Sequence, residues 1–458
     1  MEELRILSPT AILGYGFPEE SFRRGLAQNP QLIAVDGGST DPGPYYLGAG
    51  VSFTDRAAVK RDLQLMIKAG KERSVPVLVG TAGGAGGRVH LDWCAGIVEE
   101  IAGEQGLSLK VALIDAEFSK EEVIENYRQG KLDPLFPAGE ITIKDIEDSS
   151  RIVGQMGVEP IIQALQEEVD VVLAGRAYDP TVFAASAIKA GFPAGLALHM
   201  GKILECASIA ADPGSGSDCM LGRLKNDSFI LEALNPQRRC TITSVAAHSL
   251  YEKSNPLRLS GPGGTIDLSE CRFEQLDQRQ VKVTGSKFII AKDYTIKLEG
   301  AKMVGYRTIS IAGCRDPIMI TQIEQIMAGV KGMVKDNFTG LRKEDYRLLF
   351  RIYGKNGVMG SLEPVKEFKS HELGIIIEVV AKTQQLANTI CSFARSAMLH
   401  YGYPGRVATA GNLAFPYSPS DFKAGQVYQF SLHHLLKVED PLKYFPIIFK
   451  LYGKGVGR

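Results

Sequence analysis

The sequence lacks a charge of one sign: its 458 residues carry 52 Lys and Arg against 52 Asp and Glu. Without a global field, composition gives no reason to expect nucleic acid or an anionic membrane as a partner. Paired cysteines are missing too. Cys94, Cys206, Cys219, Cys240, Cys271, Cys314 and Cys391 are scattered and form no C-x-x-C. That argues against a disulfide framework and against zinc or iron–sulfur ligation by a local motif. There is no run of about 18 apolar residues of the kind that crosses a bilayer. The first residues, Met-Glu-Glu-Leu-Arg-Ile-Leu, have neither a basic n-region nor an apolar h-segment, so a cytoplasmic chain is expected. No Gly-x-Ser-x-Gly elbow occurs, which leaves a hydrolase triad without support. His433 and His434 are adjacent and diverge, so they are no helical metal pair; His199 reads equally as a core histidine or a base.

What is present is ordinary globular composition, 45% hydrophobic and 23% charged, in a length that fits two domains. Short β-branched runs at Leu32–Val35, Val75–Val79, Lys110–Ile114 and Val169–Ala174 alternate with helix-period segments at Asp55–Arg73, Leu91–Gly106, Glu121–Gly130 and Val158–Glu168. Strands apolar on both faces that alternate with helices imply an α/β fold with a mostly parallel sheet covered on both sides. This domain is expected over residues 1–225. Beyond it, alternating strands at Thr241–Ala247, Val281–Thr284, Tyr294–Glu299 and Tyr306–Ala312, a buried strand at Ile375–Val380, and helices near Pro317–Lys335 and Lys382–Tyr401 imply an α+β domain over 226–458. The tail from Leu451 reads as frayed.

Ligands of parallel sheets sit beyond the carboxyl ends of the strands, and four loops fall there or nearby. Gly80–Gly87 holds five glycines between a strand and a helix, where backbone N–H groups of Gly83, Gly84, Gly86 and Gly87 can cradle an anion, with Arg88 at the helix entrance. It is neither a P-loop, since no Lys-Ser/Thr follows, nor the dinucleotide fingerprint; nothing signals NAD, flavin or haem. In Asp36-Gly-Gly-Ser39-Thr40-Asp41-Pro42, the carboxylates suit a hard cation such as Mg²⁺ or a general base, while Asp41 alternatively caps a turn. Arg176 offers a carboxylate fork, and Asp179 before Pro180 is a ligand, a catalytic acid or an N-cap. The irregular stretch from Ser249 to Gly264 contributes Glu252 and Asn255. Lys297, Glu299, Arg307 and Asp316 read as domain-interface charges.

Several strings together are specific. Ile6–Ala11, Gly14-Tyr-Gly16, Asp36–Gly48, Gly83–Gly87, Gly175–Pro180, His199–Lys202, Tyr251–Pro256, Gly305–Thr308 and Phe415–Asp421 resemble the acyclic terpene utilisation protein A family over nearly the whole chain. The resemblance implies a catabolic setting with acyl-CoA or small-carboxylate intermediates and a small partner protein of about a hundred residues; it transfers no catalytic role. The resulting expectation is a hydro-lyase of a citramalate- or mesaconate-like carboxylate or its CoA thioester. In it Asp36 or Glu252 is the base, Asp179 assists, and Ser39, Thr40, Arg88, Arg176, Asn255 and the glycine loop hold substrate. Asp36, Asp41 and Asp179 are the ligands if a divalent metal binds. Acyl or phosphoryl transfer with CoA or nucleotide, and a non-catalytic subunit, are the alternatives. A homo-oligomer is expected.

Overall fold

The computed structural model describes residues 2–251, 253–407 and 409–453. It divides into two compact units, one of residues up to Lys302 together with those from Phe430, the other Met303–Gln429. The first begins β1 (Leu4–Ser8), α1 (Glu19–Ala27), β2 (Leu32–Asp36), α2 (Pro44–Ala49), α3 (Arg56–Arg73), β3 (Val77–Gly80), α4 (Arg88–Gln105), β4 (Leu109–Ile114) and α5 (Lys120–Arg128). It continues through β5 (Leu132–Pro134), α6 (Ile143–Glu147), β6 (Arg151–Gly154), α7 (Glu159–Leu165), β7 (Val171–Ala174), α8 (Thr181–Lys189) and α9 (Ala194–Leu204). After a hairpin of β8 (Met220–Leu224) and β9 (Ser228–Ala233) come α10 (Ile242–Leu250), β10 (Arg258–Gly261), β11 (Gly264–Asp267), β12 (Arg272–Gln275), β13 (Gln280–Thr284), β14 (Lys287–Ile290) and the long β15 (Thr295–Cys314).

β1, β2, β3, β7 and β4 are parallel neighbours in a ten-stranded sheet of order β12-β13-β9-β8-β1-β2-β3-β7-β4-β19, where β19 is Ile447–Tyr452. The parallel centre has the expected burial on both faces. Ile6, Leu32, Ala34, Leu78 and Val172 enter one core with α7, α8 and α9; Leu7, Ile33, Val35, Val79 and Leu173 enter another with α1, α3 and α4. That period of two explains the continuous apolar runs. The helices start where side chains can accept the orphan N–H groups: Asp55 caps α3 through Ala57 N and Ala58 N.

The boundary expected at residue 225 falls instead inside this sheet. β8 pairs antiparallel with β1, and β9 and β13 extend the same ladder, so the chain stays in one hydrogen-bonded unit well past it. Thr241–Ala247, expected as a strand, is the start of α10: Thr241 caps it through Ser244 N, and Val245, His248 and Ser249 share its buried side. Leu451 and Tyr452 belong to β19, paired with β4, and are not frayed.

The second unit is antiparallel and helical. β15 pairs with β17 (Leu373–Ala381) from Tyr306 to Cys314, and β17 pairs with β16 (Tyr346–Tyr353). α11 (Pro317–Thr321), α12 (Ile323–Asn337) and α13 (Gln384–Leu399) supply Val330, Val334, Ile390 and Ala394 to its own core with Ile375, Ile377 and Val379. Arg307 and Asp316, expected at an interface, act locally: Arg307 pairs with Glu378, and Asp316 caps α11.

Candidate functional site

Asp36 ends β2, and the chain beyond β7 turns through Gly175, Arg176 and Asp179, so both loops open on the same edge of the sheet. Arg176 is 2% exposed, and its Nε and Nη1 are hydrogen-bonded within the protein. Its Nε donates to Glu299 Oε2 at 2.7 Å, and Nη1 donates to Ala177 O at 2.8 Å, Thr81 Oγ1 at 3.3 Å and Asp179 Oδ1 at 3.3 Å. Glu299, also buried, takes a proton donor from Lys297 Nζ at 2.7 Å and from Thr40 Oγ1 at 2.7 Å. Burial alone would raise the Glu299 carboxyl, but Arg176 and Lys297 outweigh it and hold it well below the usual carboxylate range. Through Nε and Nη1, Arg176 acts as an internal strut that ties β15 to the β7 loop.

Asp36, 3% exposed, points one oxygen, Oδ1, at no hydrogen-bond partner. Oxygens of Asp36, Asp179 and Glu205 lie within 4.8 Å of one another. Glu205 caps the C-terminus of α9 and pairs with Lys202 of its last turn. Burial, then the neighbouring Asp179 and Glu205 charges, push the Asp36 carboxyl well above the carboxylate range, against the pull of Arg176 and the Gly38 N–H. The Cys206 thiol beside them is pushed up as well, by burial and then by Glu205. Next to Lys202, His248 is lowered to about 4 by burial and by that lysine's charge, and its buried Nε2 has no hydrogen-bond partner.

The glycine loop has a different job from the one expected of it. Residues 81–87 are buried throughout. Gly83 and Gly86 take φ of +73° and +69°, and a Cβ on either would strike the backbone of His90 or of Arg176. Ala82 N donates to Ala174 O, and Arg176 N donates to Gly86 O, which clamps the loop to the β7 turn. The anion at the α4 N-terminus is the chain's own: Arg88 N donates to Glu117 Oε2 at 2.6 Å, and Gly87 lies against the same carboxylate. The Arg88 guanidinium is bound by Asp115 at 2.7 Å. Of the expected donors, Gly84 N is used by Thr81 O and Arg88 N by Glu117, so this stretch serves as a packed wall of the β7 turn.

Other expected residues scatter. Thr40 holds Glu299, while half-buried Ser39 accepts from the N–H of exposed Asp41, which stays out of the carboxylate cluster. Asn255 is exposed and closes its own turn, Oδ1 accepting from Leu257 N at 3.0 Å. Asp179 does not cap α8; Pro180 occupies the cap position and Thr181 Oγ1 donates to Tyr178 O. His199 is a satisfied core residue, bonded to Ser286 and Ser249, and His433 and His434 lie on β18 (Asp421–Lys437). Glu252 lies outside the described residues. Glu205, Lys202, Glu299 and Lys297 were not singled out for chemistry by the sequence; a buried Lys–Glu pair three apart at a helix end was the one available signal for the first two.

An α/β chain with a buried ionic centre at the carboxyl ends of its parallel strands is thus defined. The model of the acyclic terpene utilisation family protein AtuA matches residues 56–215 and 227–420, and the chain belongs to that family. No curated protein and no solved structure matches it. Among the described residues, no helix is long and apolar enough to cross a membrane.

Proposed function

We propose that the Asp36–Asp179–Glu205 centre is the reaction site of a hydro-lyase acting on a small branched carboxylate or its CoA thioester. The observation that carries this reading is the buried Asp36 carboxyl, one of whose oxygens has no hydrogen-bond partner, with the carboxylates of Asp179 and Glu205 within 4.8 Å of it. A buried polar atom left unpaired costs about 1–3 kcal/mol, and functional sites are where folds tolerate such a cost. Dehydration breaks a C–H bond beside the substrate carbonyl and a C–O bond on the next carbon. A carboxylate oxygen of the cluster takes the proton, the C–H electron pair forms the double bond, and the hydroxyl leaves as water with a proton returned from the same cluster. Arg176, Glu299, Lys297 and Thr40 position this centre without touching substrate. Transfer from CoA or nucleotide finds less support, because the α4 N-terminus that would hold phosphate is filled by Glu117.

Purified protein incubated with mesaconate, citramalate and their CoA thioesters tests the reading through absorbance of the conjugated double bond. Turnover of one of them is expected. No turnover of any, with or without divalent cations, contradicts it.

A further inference from the structure

Among the described side chains of this centre, four carboxylates (Asp36, Asp179, Glu205, Glu299) meet three cations (Arg176, Lys202, Lys297). Glu299 is satisfied by Arg176, Lys297 and Thr40, Asp179 pairs with Arg176 and Glu205 with Lys202, while Asp36 makes no ion pair with a described cation. A buried carboxylate with no cation beside it is costly to ionise unless a positive species joins it.

We infer that Asp36, Asp179 and Glu205 form a binding site for one hard divalent cation of the Mg²⁺, Mn²⁺ or Ca²⁺ class. The donors are all oxygens, the preference of hard cations. Two ligands on a sphere of about 2.4 Å radius lie no more than about 4.8 Å apart, and these three oxygens meet that limit. The second, independent sign is Asp36 Oδ1, buried and unpartnered. Asp179, with a side chain 17% exposed, gives the ion a route from solvent and leaves positions for water or a substrate oxygen. The set differs from the one the sequence suggested: Glu205 replaces Asp41, since α9 brings its C-terminal carboxylate to the strand ends while Asp41 faces solvent. With a divalent ion in place and Asp36 ionised, the described side chains and the ion sum to one positive charge, which a substrate carboxylate neutralises; that consequence rests on the lyase reading, whereas cation binding does not.

Mn²⁺ titration of EDTA-treated, dialysed full-length protein, followed by loss of the free-ion EPR signal, tests the site. One Mn²⁺ per chain is expected, displaced by excess Mg²⁺ or Ca²⁺. Asp36→Asn and Glu205→Gln should each weaken binding at least about tenfold, and Asp41→Asn less than about twofold. Because Glu205→Gln disturbs Lys202, Asp179→Asn serves as the third variant, with circular dichroism verifying each fold. Absence of Mn²⁺ uptake by the folded wild type at millimolar metal overturns the inference, as does unchanged affinity in folded Asp36→Asn and Asp179→Asn. Uptake without turnover of any carboxylate keeps the cation site and removes the lyase; turnover without uptake does the reverse.

Discussion

At Gly86, φ is +69° and a Cβ would come within 2.5 Å of Arg176 Cα. Gly86→Ala therefore combines a left-handed backbone cost of about 1–2 kcal/mol with an overpacking cost of about 1–3 kcal/mol. Gly43→Ala, at φ +110° with nothing within 4 Å, bears the backbone cost without the clash. Urea unfolding should place Gly86→Ala below Gly43→Ala by at least about 1 kcal/mol; equal losses would refute the claim that the loop is packed against the Arg176 turn. Arg176→Met leaves Glu299 Oε2 without its guanidinium partner, with Lys297 and Thr40 serving only Oε1, and a loss of about 3–5 kcal/mol is expected by the same measurement. Asp36 and Arg176 were legible in the sequence because each follows an apolar strand run. Glu299, 123 positions from Arg176, was not, since nothing local distinguishes a buried carboxylate in a strand from a surface one.

Helix α9 shows what a satisfied histidine costs. Burial, then the neighbouring His248, lowers His199 to about 3 from an ordinary 6.5. The native state then binds fewer protons than the unfolded one, so its stability falls as pH drops below 6.5 toward 3, by at most about 1.4 kcal/mol per unit. His199→Gln should flatten the stability profile between about pH 6.5 and 5 by up to that slope. Urea midpoints across this range decide it, and an unchanged slope would mean His199 is charged in the fold. Helices and parallel strands were readable here because burial on both faces leaves uninterrupted apolar runs. Thr241–Ala247 misled because Ile242 is exposed and Val245 buried, an alternation that one helical turn produces as well as a strand does. Its capping Thr241–Ser244 pair was the better signal.

Across the molecule, the proposed centre lies in one unit and a separate core stabilises the other. Ile377 is fully buried in the core of residues 303–429. Ile377→Ala should cost about 2–5 kcal/mol yet leave Mn²⁺ affinity of the folded protein within about twofold, as read by the same EPR titration. The parallel centre was legible at this scale, but the antiparallel extension through β8, β9 and β13 was not. Strand partners more than local in sequence are set by which edges remain open, and no residue pattern marks them.

The central claim is that a buried carboxylate centre at the strand ends does the chemistry. Its most direct test is the rate of change in absorbance of the conjugated acid or thioester that the wild type turns over, measured for Asp36→Asn against wild type at matched folding. The account predicts a fall of at least about a hundredfold, the scale of losing an acid–base group. A folded Asp36→Asn variant that works at the wild-type rate would contradict it.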